Sequence, residues 1–241
     1  MQPSLYVSLS GQIALERRLE TIAHNVANTT TAGYRAEEVK FSTILSRVPP
    51  DPANFATAKG TYISRRVGEF IQTQNPLDVA VRGDAWLSID VAGRQVYTRD
   101  GRMRMTGTGD LQTLNGHAVL DVGGAPITLD PRAGTPVISS DGTITQNNRQ
   151  IGAIGLFEIP EDAKLGRYEN SGVIPDRAAE PALDFSRAGV VQGFIERSNV
   201  DPVMEMTRLI MVQRSFEALT NAINTTETTF AEGIRTLGSP S

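Results

Sequence analysis

The stretch TIAHNVANTTTAGYRAEEVKF, Thr21 to Phe41, begins with helical spacing and ends in a run that no helix interior favours. Thr29, Thr30 and Thr31 are β-branched, and their hydroxyls compete with the helical hydrogen bonds. Asn28 suits a helix C-terminus, and Gly33 is free to take a positive φ. Tyr34 then sets a large amphipathic ring at the exit, fit for packing against a neighbour. A helix is expected to stop here.

Upstream, Leu5, Leu9, Leu15, Leu19, Ile22 and Val26 recur at steps of three and four or their sums, with Glu16, Arg17, Arg18 and Glu20 between them. The spacing predicts an amphipathic helix from about Ser4 to Asn28. At the other end Leu209, Val212, Phe216, Leu219, Ile223, Thr226 and Phe230 form a heptad seam broken only by Thr226. Asp201 as N-cap and Pro202 at the first helical position mark its start. Some 30 residues from there make a rod of roughly 45 Å. Two apolar seams with no partner between them predict that the chain ends pair with each other.

Between the ends the period falls to two. LDVAV, WLSIDV, QVYTR, RMRMT and APITL read as short strands, and Asp100-Gly101, Asn115-Gly116 and Asp141-Gly142 are dipeptides that favour tight hairpin turns. Residues 42–74, with Pro49, Pro50 and Pro52 near their start, read as a connector that becomes strand-like at TYISRRVGEFIQ. The predicted class is α+β, with N- and C-terminal helices pairing as a discontinuous coiled coil and a mainly antiparallel β central domain. In domain terms, 1–41 (helix and exit loop) pairs with 198–241, 42–74 connects, and 75–197 is the β domain.

Composition narrows the function. The 241 residues carry a net charge of −4 and a pI near 5.3, which gives no phosphate-neutralising surplus and argues against nucleic-acid binding. No cysteine is present, so neither a disulfide frame nor a thiolate metal site is available. No run approaches the roughly 18 apolar residues of a spanning helix, so no membrane insertion is expected. Arg17 and Arg18 follow the early apolar positions and Gly11 interrupts them, a poor match to a cleaved secretory signal. Export by another route stays open.

Catalytic signals are sparse. His24 lies in the first helix and His117 after a hairpin turn, without partners at meaningful spacing for a metal site or a Ser-His-Asp triad. Glu158, Glu161 and Asp162 invite a carboxylate-pair reading as a peptidoglycan hydrolase; the plainer reading of EIPEDAK is a solvated turn. GTGDLQ lacks the third glycine and the following helix of a dinucleotide loop. No catalytic residue, cofactor or metal is expected.

Three blocks resemble one family. LETIAHNVANTTTAGYR is similar to the N-terminal signature of the flagellar basal-body rod and hook family, through Asn25, Asn28, Thr31, Gly33 and Tyr34; His24, Thr30, Ala32 and Arg35 depart from its commonest residues. NPLDVAVRGDAWLSIDVAGRQVYTRDGRMRMTGTGDLQTLNGHAVL resembles its central segment, carried by Pro76, Leu77, Asp78, Gly83, Tyr97, Thr98, Arg99, Gly101, Leu111, Gly116 and Val119. ERSNVDPVMEMTRLIMVQRSFEALTNAI resembles its C-terminal module, carried by Glu196, Ser198, Asn199, Val200, Glu205, Met206, Gln213, Arg214, Phe216 and Ile223. The short length and divergent wording at GDAWLSI favour a proximal-rod member over a distal-rod one.

The resemblance implies a structural subunit of the proximal rod. Its partners would be copies of itself, other proximal and distal rod subunits, and the flagellar type III export apparatus. The implied place is the basal-body rod crossing the periplasm, reached without a cleaved signal peptide. Leu15, Leu19, Ile22, Asn25, Val26, Asn28, Gly33, Tyr34, Leu209, Val212, Gln213, Arg214, Phe216, Leu219, Ile223 and Phe230 would serve helix pairing and assembly. Asn25, Asn28 and Tyr34 would sit at subunit junctions. FSTIL, with Phe41 and Leu45, resembles a short export-gate motif. A β-domain binding module dimerised by its helices is the remaining alternative.

Overall fold

Two long helices bracket a series of short strands. In chain order these are α1 (Gln2–Ala27), β1 (Glu37–Ser46), β2 (Ala53–Ile63), β3 (Phe70–Gln72), β4 (Val79–Arg82), β5 (Ala85–Val91), β6 (Arg94–Thr98), β7 (Met103–Met105), β8 (Leu111–Thr113) and β9 (Ala118–Val119). There follow β10 (Val137–Ile138), β11 (Thr143–Gln146), β12 (Arg149–Ala153), β13 (Leu156–Glu158), β14 (Leu165–Tyr168), β15 (Gly172–Pro175), β16 (Glu180–Pro181), β17 (Gly189–Gln192), β18 (Phe194–Glu196) and α2 (Pro202–Gly238). This computed structural model describes residues 2–46 and 53–238. The class is α+β with a mainly antiparallel β body.

The chain forms two units. One holds α1, the two-stranded sheet β1-β2 up to Tyr62, and α2; the other holds Asn28–Ala36 together with Ile63–Val200. The segment 42–74, read as a connector, thus contains the second half of β1 and all of β2 and β3.

In the helical unit α2 starts where the N-cap chemistry places it. The Asp201 carboxylate accepts from the amides of Val203 and Met204, at 3.0 and 3.1 Å, which satisfies donors that have no intrahelical partner. Its 37 residues give a rod of roughly 55 Å. Along the threonine-rich end Thr225, Thr226, Thr228 and Thr229 satisfy their hydroxyls on carbonyls one turn earlier instead of competing for the helical amides. Gly11 of α1 faces Leu219 of α2, whose Cδ2 lies 3.4 Å from where a Cβ would stand. Ile22 and Asn25 share a cavity wall with Glu205. The two helices therefore run antiparallel in contact.

In the β unit the principal sheet runs β14-β15-β6-β5-β9-β8-β7, with β13 paired to both β5 and β16; β10-β11-β12, β4-β17 and β3-β18 complete the unit. The last two pairs join the beginning of the unit to its end. Alternation along β5 and β13 feeds two apolar clusters: Leu87, Ile89 and Leu156 enter one with Val79, Val96, Leu111 and Ile144, while Trp86 and Phe157 enter the other with Tyr97 and Val173. Burial on both faces explains why these strands read as nearly continuous apolar runs.

Turn chemistry is kept at Asn115-Gly116, between the paired strands β8 and β9, and at Asp141-Gly142, between β10 and β11, with Gly116 and Gly142 at φ 89° and 86°. Two expectations are corrected. Asp100-Gly101 is no hairpin, since β6 pairs with β5 and β15 while β7 pairs with β8; Gly101 is required because the Val79 carbonyl lies 1.8 Å from where its Cβ would stand. APITL is no continuous strand but two isolated bridges, at Pro126 and Thr128. Pro126 has no amide to donate, and Ile127 divides its backbone bonds, donating to Val119 and accepting from Leu111.

Leu87 is fully enclosed in the larger cluster, so Leu87→Ala is expected to lower the unfolding free energy of the β unit by about 2–5 kcal/mol. Urea denaturation followed by Trp86 fluorescence measures it.

Candidate functional site

The segment leaving α1 belongs to the β unit. Asn28 closes the first turn, its carbonyl accepting from the Thr31 amide at 3.2 Å and its side-chain oxygen from the Thr31 hydroxyl at 3.0 Å. Gly33 follows at φ +66° and donates its amide to the Glu196 carbonyl at 2.8 Å. A Cβ there would stand 2.2 Å from the Asp100 amide nitrogen, so both conformation and space demand glycine. Beyond it the chain is stitched on two sides. The Asn199 side chain accepts from Ala36 N at 2.7 Å and donates to the Arg66 carbonyl at 2.7 Å, while Ser64 N donates to the Ala36 carbonyl at 2.8 Å. Tyr34 is 1% exposed, packed with Ala36 and Val200, and the Arg167 guanidinium lies 4.4 Å above its ring.

Beneath this segment lies a buried charge cluster. Glu196 has one carboxylate oxygen 2.9 Å from Arg35 and the other 2.7 Å from Arg99 Nε; the first also accepts from Gly68 N at 2.8 Å. Arg99 directs three more donors to the carbonyls of Val81, Gly83 and Ala85, at 2.6, 2.7 and 2.5 Å. Arg35 donates to the Arg65 carbonyl at 3.1 Å. Trp86 lies beside both guanidiniums, at 5.8 and 5.9 Å from its ring centroid. Burial, and next the positive Arg99, lower the Arg35 pKa to about 10, against the pull of Glu196 and Asp84. Arg35 stays cationic at neutral pH. Taking three charges out of water is costly; the shared carboxylate and the backbone carbonyls offset part of that cost, while the buried Arg35 Nε has no partner.

The helical unit has its own anchor. Asn25, 2% exposed, reads the backbone of Glu37 with both ends of its amide, donating to its carbonyl and accepting from its N–H at 2.9 Å each. This fixes the first residue of β1 against α1. The inward face of α2 carries buried Val212 and half-buried Leu209, Phe216, Leu219 and Ile223; α1 contributes buried Ile22 and half-buried Leu15, Leu19 and Val26. Gln213 and Arg214 are exposed. So are Val203, Met204, Met206, Ile210 and Met211, giving α2 a second apolar face opposite the first. Phe41 and Leu45 lie in β1, but their side chains, like that of Phe230, fall outside the described ones.

Asn25, Asn28 and Tyr34, expected at subunit junctions, thus make contacts inside the chain. The charge cluster escaped sequence reasoning: Arg35 stood only as a departure from a pattern, and Arg99, Glu196 and Asn199 only as matching letters. No signal in the sequence marks them, since the carbonyls that Arg99 meets are defined only by the fold. The acidic loop is solvated: Glu158, Glu161 and Asp162 are exposed and Asp162 pairs with Arg177. His117 lies 3.3 Å from Glu169, and among the described residues no group of His, Asp and Glu could hold a metal ion.

Glu196→Ala strands two buried guanidiniums and the Gly68 amide, and a loss of about 3–5 kcal/mol is expected in denaturant unfolding of the β unit. Gly33→Ala meets backbone and a positive φ, so a loss of at least about 1–3 kcal/mol is expected, with proteolysis at residues 28–36 accelerated.

Comparison with known proteins follows the same three blocks. A family model described as Flagella basal body rod protein matches residues 5–35, one described as Flagellar hook protein FlgE/F/G D1 domain matches 80–146, and one described as Flagellar basal body rod FlgEFG protein C-terminal matches 191–236. The flagellar basal-body rod protein FlgF of Mesorhizobium japonicum is 50% identical over 241 residues, covering 100% of both chains. FlgF of Rhizobium meliloti is 44% identical with 99% of each chain covered. The rod protein FlgG of Bacillus subtilis is 30% identical, with 94% of this chain and 96% of its own covered. The family is structural rather than enzymatic. Three blocks in order and full-length identity of this degree show that the chain belongs to the flagellar basal-body rod family, among its FlgF proteins.

Proposed function

We infer that the chain is a structural subunit of the proximal rod, a passive element of the shaft that carries torque from motor to hook across the periplasm. The observation that carries this is full-length identity to FlgF proteins joined to an α2 that is apolar on two opposite faces. One face meets α1, and that antiparallel contact supports reading the terminal helices as a discontinuous coiled coil. The other face, in this reading, meets further copies and other rod subunits.

Assembly then follows from elementary energetics. Isolated helices are marginal in water, and a half-covered helix gains most of its stability when a neighbour buries the rest. A contact between unlike surfaces that does not close generates a helical filament. Rod assembly implies passage through the flagellar type III export apparatus as an unfolded chain. The lack of cysteine suits such passage, and FSTIL is proposed as its docking segment. No described helix is long and apolar enough to cross a membrane.

Electron cryotomography of motors in a deletion strain tests the reading: the axial structure is expected to end within the periplasm. A nearly complete rod lacking only its outer part would favour a distal position, and complete rods with hooks would overturn the structural role. Phe216→Asp or Leu219→Asp is expected to abolish incorporation into basal bodies while leaving the denaturant midpoint of the β unit unchanged, since both residues lie in the helical unit.

A further inference from the structure

Oxidisable sulfur is concentrated on one part of α2. The chain has six methionines and no cysteine, so the thioether is the only sulfur it offers. Met204, Met206 and Met211 are 51, 49 and 63% exposed. In the β unit Met103 is 2% exposed and Met105 is half-buried. Thioethers react with two-electron oxidants, and access of the oxidant to the sulfur decides which react first.

The three share a face. At about 100° per residue, Met206, Ile210, Val203, Thr207, Met211 and Met204 span an arc of about 160° around the helix, centred opposite the seam residues Val212 and Phe216. Val203 and Ile210 are exposed as well. Thr207, the one polar residue of the arc, donates its hydroxyl to the Val203 carbonyl at 2.9 Å. Half of this face is therefore thioether, and its one hydroxyl already has an acceptor. A sulfoxide formed here brings a strong hydrogen-bond acceptor to a surface with no ready donor, and covering that surface leaves the acceptor unmet.

We propose that Met204, Met206 and Met211 form a reversible oxidation site that gates assembly. Reduced, the face is apolar and is covered by the next subunit; oxidised, it stays solvated and the subunit is not taken up. This rests on the rod-subunit reading and adds a control to it. The oxidant is hydrogen peroxide. The thioether lone pair attacks one peroxide oxygen, an S–O bond forms and the O–O bond breaks; the sulfur loses two electrons, and the other oxygen leaves as water with both protons. Return requires a dithiol from outside the chain, which becomes a disulfide while the sulfoxide oxygen leaves as water. Methionine suits such a face, since its flexible, polarisable side chain packs against irregular neighbours when reduced. Once covered, the thioethers are beyond the oxidant's reach, so the site acts on free subunits and not on finished rods.

The first measurement exposes the purified full chain to a graded series of hydrogen peroxide and follows each methionine by peptide mass spectrometry. Met204, Met206 and Met211 are expected to gain one oxygen at least about tenfold faster than Met103, which reacts only when the β unit opens. Methionine sulfoxide reductases of both epimer classes are expected to remove it. Rates no faster than that of Met103 overturn the proposal. The second uses full chains as sole copy in motile cells, with basal bodies isolated and the chain quantified. A chain carrying Met204→Gln, Met206→Gln and Met211→Gln, polar as the sulfoxide is, is expected to be incorporated about tenfold less than one carrying Met204→Leu, Met206→Leu and Met211→Leu. Both are checked for the far-ultraviolet circular dichroism of the wild type. Equal incorporation of the two overturns the gating. So does oxidation of the three methionines in peroxide-treated intact basal bodies at the rate found for the free chain. A wild-type chain missing from the rods overturns the rod reading and the gating with it, whatever the oxidation pattern of the free chain.

Discussion

The Glu196 carboxylate, shared between Arg35 and Arg99, is the constraint on which the β unit depends. Arg35 comes from the segment after α1, Arg99 from the residue that follows β6, and Glu196 from β18, so one buried anion ties the beginning, middle and end of the unit together. An apolar trio of like volume would avoid the desolvation cost. What an apolar trio would not do is meet the carbonyls of Val81, Gly83 and Ala85, which Arg99 satisfies from one planar group. Those carbonyls would otherwise be orphaned in the interior.

The exit segment gains its direction from that cluster. Gly33 donates to the Glu196 carbonyl while its missing side chain lets the Asp100 backbone approach. Tyr34, held under Arg167, closes the same site from above. The asparagines and the tyrosine of this stretch are structural fasteners within one chain. Asn25 fastens β1 to α1 in the helical unit, and Asn199 fastens the exit segment to the backbone near Arg66 in the β unit.

The helical unit is built on a different economy of contacts. Its inner seam is only partly buried, with Val212 enclosed and Leu209, Phe216, Leu219 and Ile223 half-covered, while the first turns of α2 hold apolar residues toward solvent. Apolar surface is thus left uncovered on this unit. The β unit encloses two apolar clusters of its own.

Periodicity alone determined the class, the two terminal helices and their apolar seams, and the Asp201 cap fixed where α2 begins. These are local properties, set by side-chain spacing and by backbone donors a few residues away. Strands such as WLSIDV and QVYTR were legible for the same reason. What only the tertiary structure decided was partnership between distant residues. Asp100-Gly101 has hairpin letters, but the strands on either side of it pair elsewhere, and Tyr34, a ring expected to pack against a neighbour, is enclosed by Val200 and Arg167 of its own chain. Arg35, Arg99 and Glu196 are ordinary charged letters in the sequence. They become the centre of the β unit only when the chain brings them within hydrogen-bond distance in a medium from which water is excluded, where the strength of their attraction and the cost of leaving any one unpaired both rise.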